Sequence, residues 1–117
     1  MIKRNDKKGC HSERSEESNL FVSIVIPVKD KNKNLEECVS HCLSLDYPDY
    51  EIIVLCDNPI QLDGDRVTVI PTGHIGPAEK RDMAIERARG DIIAFLDDDT
   101  FPVRDWLKNG LRHFENP

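Results

Sequence analysis

One stretch, Ile92-Ile93-Ala94-Phe95-Leu96-Asp97-Asp98-Asp99, constrains this 117-residue chain more than any other. The apolar run is too short to span a bilayer and long enough for a buried strand. It ends abruptly in three carboxylates. In open α/β sheets ligands bind beyond the carboxyl ends of the strands, so acids placed there face the ligand crevice. Three adjacent acids repel one another and are costly to desolvate. A hard divalent cation relieves that cost, because Mg²⁺ takes one or two carboxylates and leaves its other positions to water and phosphate oxygens. In an extended segment Asp97 and Asp99 point to one side and Asp98 to the other. Asp97 and Asp99 are therefore the pair expected on the ion side. The three acids alone also allow a solvated turn after an edge strand.

The rest of the chain supplies a sheet around that run. Phe21 to Val28 is β-branched and nearly continuously apolar, as a buried parallel strand should be, and Pro27 should fray its pairing near the end. After the polar loop Lys29–Asn34, Asn34 is the expected N-cap of a helix whose buried face is Leu35, Cys38, Val39, Cys42 and Leu43. Asp46-Tyr47-Pro48-Asp49 ends it. Tyr50–Cys56 reads as a second buried strand, followed by Asp57, which sits either at the ligand edge or in an Asx-type turn. Arg66–Pro71 reads as a short third strand, and Thr72–Gly76 as a flexible glycine-bearing connection. Pro77 suits the first turn of a helix running to about Arg89, with Gly90 as its stop. Ala78, Arg81, Asp82, Ile85 and Ala88 share one face of it. Arg81 and Asp82 interrupt that stripe, either as a polar site beside phosphate or as a local ion pair, and Lys80 falls near the same edge. Pro102 is expected to begin a last helix through about Phe114, with Val103, Trp106, Leu107, Leu111 and Phe114 on its apolar face. Trp106 reads as a packing residue rather than a sugar platform.

This alternation is that of a doubly wound α/β protein: a Rossmann-like parallel sheet with helices on both faces. With the first strand central and the fourth beside it, the expected order is 3-2-1-4. Asp57 and Asp97–Asp99 then lie along one edge. There is no Gly-x-Gly-x-x-Gly after the first strand and no Walker sequence, so dinucleotide and P-loop readings lose their support.

Residues 1–20 are polar and charged and are expected to form a disordered tail ahead of one domain over 21–117. That tail carries a net +1, so of the chain's formal net charge of −6 the domain holds −7, which argues against general nucleic-acid binding. No segment approaches the length of a membrane span, and the basic amino terminus lacks the apolar region of a signal peptide. A cytoplasmic site is the default, at the inner face of the membrane where a longer protein carries an anchor. Cys10, Cys38, Cys42 and Cys56 form no Cys-x-x-Cys pair. They read as free thiols in a reducing compartment, with Cys38 and Cys42 as small core residues rather than zinc ligands.

Four pieces in order carry a family resemblance. They are Val22-Ser23-Ile24-Val25-Ile26-Pro27-Val28-Lys29-Asp30, Tyr47-Pro48 leading to Glu51-Ile52-Ile53-Val54, Gly76-Pro77 through Lys80-Arg81-Asp82, and Gly90-Asp91 through Asp99. Together, over about residues 22–115, they resemble the amino-terminal half of a family 2 glycosyltransferase. The resemblance implies the nucleotide-binding half of a GT-A fold, incomplete in this chain. It implies a nucleotide-diphosphate sugar donor, Mn²⁺ or Mg²⁺ at an Asp-x-Asp motif, and inverting transfer to a hydroxyl of an unknown acceptor (glycan, lipid or polysaccharide). By the same resemblance Asp97 lies near the donor ribose and the metal, and Asp99 contacts metal and diphosphate. Pro27 and Val28 line the base or ribose pocket, Asp57 sits near the base, and Lys80 and Arg81 flank the nucleotide.

The chain departs from the family pattern in three ways. Cys56-Asp57 stands where two acids are frequent. Asp30 and Asp82 stand where Asn is common. The acceptor-binding part and general base lie later in the family than Pro117, so no general base is assigned and the chain alone is expected to be inactive. A non-catalytic nucleotide-binding or interaction module of the same fold is the rival reading. A phospho-receiver-like domain wants an acid pair after the first strand, where this chain has Lys29-Asp30-Lys31.

Overall fold

The computed structural model describes residues 1–3 and 20–115. In chain order the elements are β1 (Ile2–Lys3), β2 (Val22–Pro27), α1 (Lys33–Leu43), β3 (Tyr50–Cys56), β4 (Val67–Pro71), α2 (Pro77–Arg87), β5 (Ile92–Phe95) and α3 (Trp106–Glu115). The sheet order is β1-β5-β2-β3-β4. Strands β2 to β5 are parallel throughout, so the expected 3-2-1-4 arrangement is the one found.

Period-two alternation explains the layers. Ile24, Ile26, Ile52, Val54, Ile92 and Ala94 face one side, where they pack with Leu35, Cys38, Val39 and Cys42 of α1 and with Leu107 and Leu111 of α3. Val25, Ile53, Leu55, Ile70 and Ile93 face the other side, with Ala84 of α2 and Ala88 just beyond it. Trp106 packs against the first layer, as expected of a core residue. Cys38, Cys42 and Cys56 are buried free thiols. Cys10 lies outside the described residues.

Several boundaries differ from expectation for identifiable reasons. The cap of α1 is Asn32, two residues before Asn34: its Oδ1 accepts the Leu35 N–H at 2.8 Å. Either Asn could cap, and Asn32 also has a partner outside the helix. The helix after Pro77 stops at Arg87, and its buried line is Lys80 and Ala84, while Ala78 and Asp82 are exposed. The stripe through Ala78 and Asp82 was set by too few apolar residues to fix the rotation of the helix. The last helix begins at Trp106, because Pro102 is buried in the approach to it and Val103 stays exposed. The Phe114 side chain lies outside the described residues. Most of the expected disordered tail does too, but its first residues do not fit that expectation. Ile2 and Lys3 pair antiparallel with Ile93 and Ile92, giving β5 an outer neighbour.

The amino ends of the strands are held by a buried polar cluster around Glu51. Ser23 Oγ donates to Glu51 Oε2 at 2.6 Å, the Arg89 N–H to the same oxygen at 2.9 Å, and the Gly90 N–H to Ser23 Oγ at 2.8 Å. Gly90 serves this close approach rather than the helix stop. A Cβ there would meet Ser23 N and Oγ at 2.6 Å and the Ile92 carbonyl at 2.8 Å. Because two of those atoms are backbone, they cannot swing away. Gly90→Ala is expected to destabilise the domain by about 2–3 kcal/mol, read as a lower urea midpoint. A midpoint equal to wild type would show that the approach is looser than described.

Candidate functional site

At the opposite end of the sheet, the carboxyl ends of β2, β3 and β5 open into a cleft of about 890 Å³. A parallel sheet places it there: the chain must leave each strand at this edge to cross back over a face. Pro27 and Val28 leave β2, Asp57 leaves β3, and Asp97 to Asp99 leave β5. Lys80 and Arg81 reach the same cleft from the first turns of α2. All seven residues singled out from the sequence (Pro27, Val28, Asp57, Lys80, Arg81, Asp97 and Asp99) therefore border one cavity.

Asp57 is the most constrained of them. Its side chain is almost fully buried, and Lys80, equally buried, donates from Nζ to Asp57 Oδ1 at 2.6 Å and to the Val28 carbonyl at 2.9 Å. This lysine knits the ends of β2 and β3 to α2. The second carboxylate oxygen, Oδ2, lies 2.8 Å from Nδ1 of His74, whose imidazole is otherwise open to solvent. The hydrogen bond from Lys80 is the main reason the Asp57 carboxyl is held below the usual carboxylate range, with help from the Lys80 charge and His74 against the opposing effect of burial. Burial pushes the neighbouring Cys56 thiol up, so it stays protonated and donates to the Asn58 carbonyl.

His74 is a site residue the sequence reading passed over as part of a spacer. Its position follows from Gly73, whose φ of +80° suits glycine. Gly73 donates its N–H to the Asp57 carbonyl at 3.0 Å, which folds the loop back over β3.

The acids after β5 are not extended as expected. The strand ends at Phe95, and the Thr100 N–H closes a turn on the Asp97 carbonyl at 3.0 Å. Strict alternation therefore does not separate Asp98 from its neighbours. What separates it is a partner: Asn32 Nδ2 donates to Asp98 Oδ2 at 2.9 Å. Asp97 has only a loose ion pair, with Arg81 Nη2 3.9 Å from its Oδ1. Asp99 is exposed and held by no hydrogen bond or ion pair among the described residues. No three His, Cys, Asp or Glu side chains among the described residues converge so as to hold an ion by themselves. Two carboxylates at a cleft mouth, one loosely paired and one with no ion pair among the described residues, are nonetheless a donor set Mg²⁺ or Mn²⁺ uses when phosphate and water complete its coordination.

Comparison with known proteins agrees with this geometry. The family model described as glycosyl transferase family 2 matches residues 23–117. Glycosyltransferase AglE of Haloferax volcanii is 33% identical over 106 residues, covering 78% of this chain and 34% of its own length. An uncharacterized glycosyltransferase of Haemophilus influenzae is 31% identical, covering 78% of this chain and 41% of its own length. The chain thus spans well under half the length of these relatives. In fold it resembles the mannosyltransferase PcManGT of Pyrobaculum calidifontis, solved with GDP-Man and Mn²⁺, at a TM-score of 0.73 and 23% identity over 86% of this chain and 34% of that one. It also resembles S. aureus TarS 1-349 solved with UDP-GlcNAc, at a TM-score of 0.67 and 21% identity over 82% of this chain and 31% of that one. The shared architecture is the Rossmann-like parallel sheet of the GT-A fold. From Ser23 to Pro117, this chain belongs to glycosyl transferase family 2.

Proposed function

We infer that this chain is the donor-binding half of an inverting glycosyltransferase, taking a nucleoside diphosphate sugar with the help of Mn²⁺ or Mg²⁺. The observation that carries the reading is the placement of Asp97 and Asp99 on the same cleft as the Pro27–Val28–Asp57 wall. Relatives of the same fold are solved with UDP, UDP-GlcNAc, or GDP-Man and Mn²⁺, which supports a donor of this class.

In this reading Pro27 and Val28 offer an apolar wall to the ribose or base, and Asp57 accepts from the base edge. Lys80 keeps Asp57 ionised and in place. Arg81 brings a cation to the diphosphate, and Asp97 and Asp99 hold the metal. When bound, a divalent ion offsets the charge that develops on the leaving nucleotide. The general base and the acceptor pocket belong to a part of the enzyme that we place beyond these residues, so the chain alone should bind donor weakly and transfer no sugar. No helix among the described residues is long and apolar enough to cross a membrane. We place the site on the cytoplasmic side, where nucleotide sugars are made.

Calorimetric titration of the chain with UDP and with GDP, with Mn²⁺ and with chelator, tests this. Binding of at least one nucleotide that tightens with Mn²⁺ is expected. Binding of neither, or affinity indifferent to chelator, would remove the metal-assisted donor role and favour a module without this chemistry.

A further inference from the structure

α1 grips the acidic turn at three points. At its N-cap the Asn32 carboxamide donates from Nδ2 to Asp98 Oδ2 at 2.9 Å and to the Asp30 carbonyl at 3.2 Å, while Oδ1 accepts from Leu35 N–H. Further along, Cys38 Sγ lies 3.7 Å from the Asp97 carbonyl oxygen. Beyond that, His41 stacks on Phe101 with ring centroids 5.4 Å apart. Of these contacts, only the carboxamide touches a carboxylate of the trio.

A turn of three successive acids does not by itself decide which of them faces an ion, since all three are chemically alike and border the same cleft. A carboxamide can break the tie. It accepts a backbone N–H as a helix cap and donates to a carboxylate at the same time, which an ionised aspartate in its place cannot do. The amino end of α1 adds a favourable partial positive charge to the same spot. Asp98 Oδ2 is thereby committed to the protein, whereas among the described residues Asp97 has a loose ion pair with Arg81 and Asp99 has no such tie.

We propose that Asn32 is a positioning residue that selects Asp97 and Asp99 as the ion-binding pair by tying Asp98 to the first turn of α1. This rests on the metal-assisted donor reading above, and its test is arranged so that the two can fail separately. Asn32→Asp keeps a cap acceptor but removes the donor and sets a like charge beside Asp98. Adding Asp98→Asn to that variant restores one amide and one carboxylate with donor and acceptor exchanged. Asp98→Asn alone keeps the contact, because its amide oxygen still accepts from Asn32.

The measurements are affinity for UDP or GDP, whichever the wild type binds, with Mn²⁺ and with chelator, together with the thermal midpoint of each variant. Asn32→Asp should cut the Mn²⁺-dependent gain in affinity by about tenfold, weaken binding in chelator by no more than the few-fold its added charge accounts for, and lower the midpoint by a few degrees. The double variant should recover both properties, and Asp98→Asn should keep a Mn²⁺-dependent gain within about twofold of the wild-type gain. A double variant no better than Asn32→Asp overturns the proposal. So does loss of Mn²⁺ dependence in Asp98→Asn, since Asp98 would then be an ion ligand itself. A wild-type chain without Mn²⁺-dependent binding overturns the selection together with the donor reading, whereas failed recovery on a wild type that does bind overturns the selection alone.

Discussion

Asp99→Ala is expected to lower the Mn²⁺-dependent affinity for a nucleoside diphosphate by about a hundredfold or more, since loss of even a supporting contact to a metal ligand costs 10- to 100-fold. The far-ultraviolet circular dichroism should not change, because Asp99 is exposed and supports nothing else among the described residues. The sign of the effect without metal is a stricter check. A diphosphate approaching Asp97, Asp98 and Asp99 with no cation between them is repelled, by about 1 kcal/mol per pair of unit charges 4 Å apart in a water-like medium. Arg81, 3.9 Å from Asp97, offsets only part of this. In chelator, then, Asp99→Ala should bind the nucleotide as well as the wild type or a few-fold better. Calorimetry in both buffers reads the two effects together. Equal Mn²⁺ dependence in variant and wild type would remove Asp99 from the metal site. Weaker binding of the variant in both buffers by the same factor would point to a direct contact instead.

The parts of this fold that were legible in the sequence are those set by local pattern. Continuous β-branched runs marked β2, β3 and β5 as strands buried on both faces, and the α/β alternation then left few possible orders, of which the observed one is the simplest. The buried face of α1 was legible too, because Leu35, Cys38, Val39 and Cys42 fill it without interruption. Partnerships between distant residues were not. Lys80 occupies a buried position of α2 only because Asp57 waits for it at the end of β3, and no periodicity within α2 announces that. Glu51 reads as one polar residue at the start of a strand, yet it anchors Ser23 and Arg89 at the end of the sheet opposite the cleft. His74 looked like loop filler because its significance lies in where Gly73 turns the chain. The acids at 97–99 lie past a buried strand and on the cleft, as their place in the sequence implies, but the Asp97–Thr100 turn replaces the extended geometry expected to orient them.

Lys80→Met should be the most damaging change at the cleft that leaves the site's shape almost intact. Methionine keeps most of the lysine stem, so packing changes little. What is lost is the ammonium that donates to Asp57 Oδ1 and to the Val28 carbonyl. A buried carboxylate then keeps only the solvent-exposed His74 as a partner, and the ends of β2 and β3 lose their tie to α2. A thermal midpoint lower by about 10 °C or more at neutral pH is expected. The pH dependence follows from the direction of the Asp57 shift. In the wild type the folded carboxyl is held below its ordinary value, so its stabilising contribution is complete above the unfolded pKa of about 4 and is lost as pH falls through the lower folded value. In Lys80→Met the lysine's lowering effect is gone while burial still opposes ionisation, so most of this contribution is already missing at neutral pH and little remains to be lost as pH falls. The gap between the two proteins should therefore narrow steadily on acidification, and other carboxylates cancel in the comparison. Adding Asp57→Asn to Lys80→Met should recover much of the loss at neutral pH, since an amide carries no charge to leave unpaired. A gap that stays constant from neutral to acidic pH would mean that Lys80 acts through its bond to Val28 and not through the charge on Asp57.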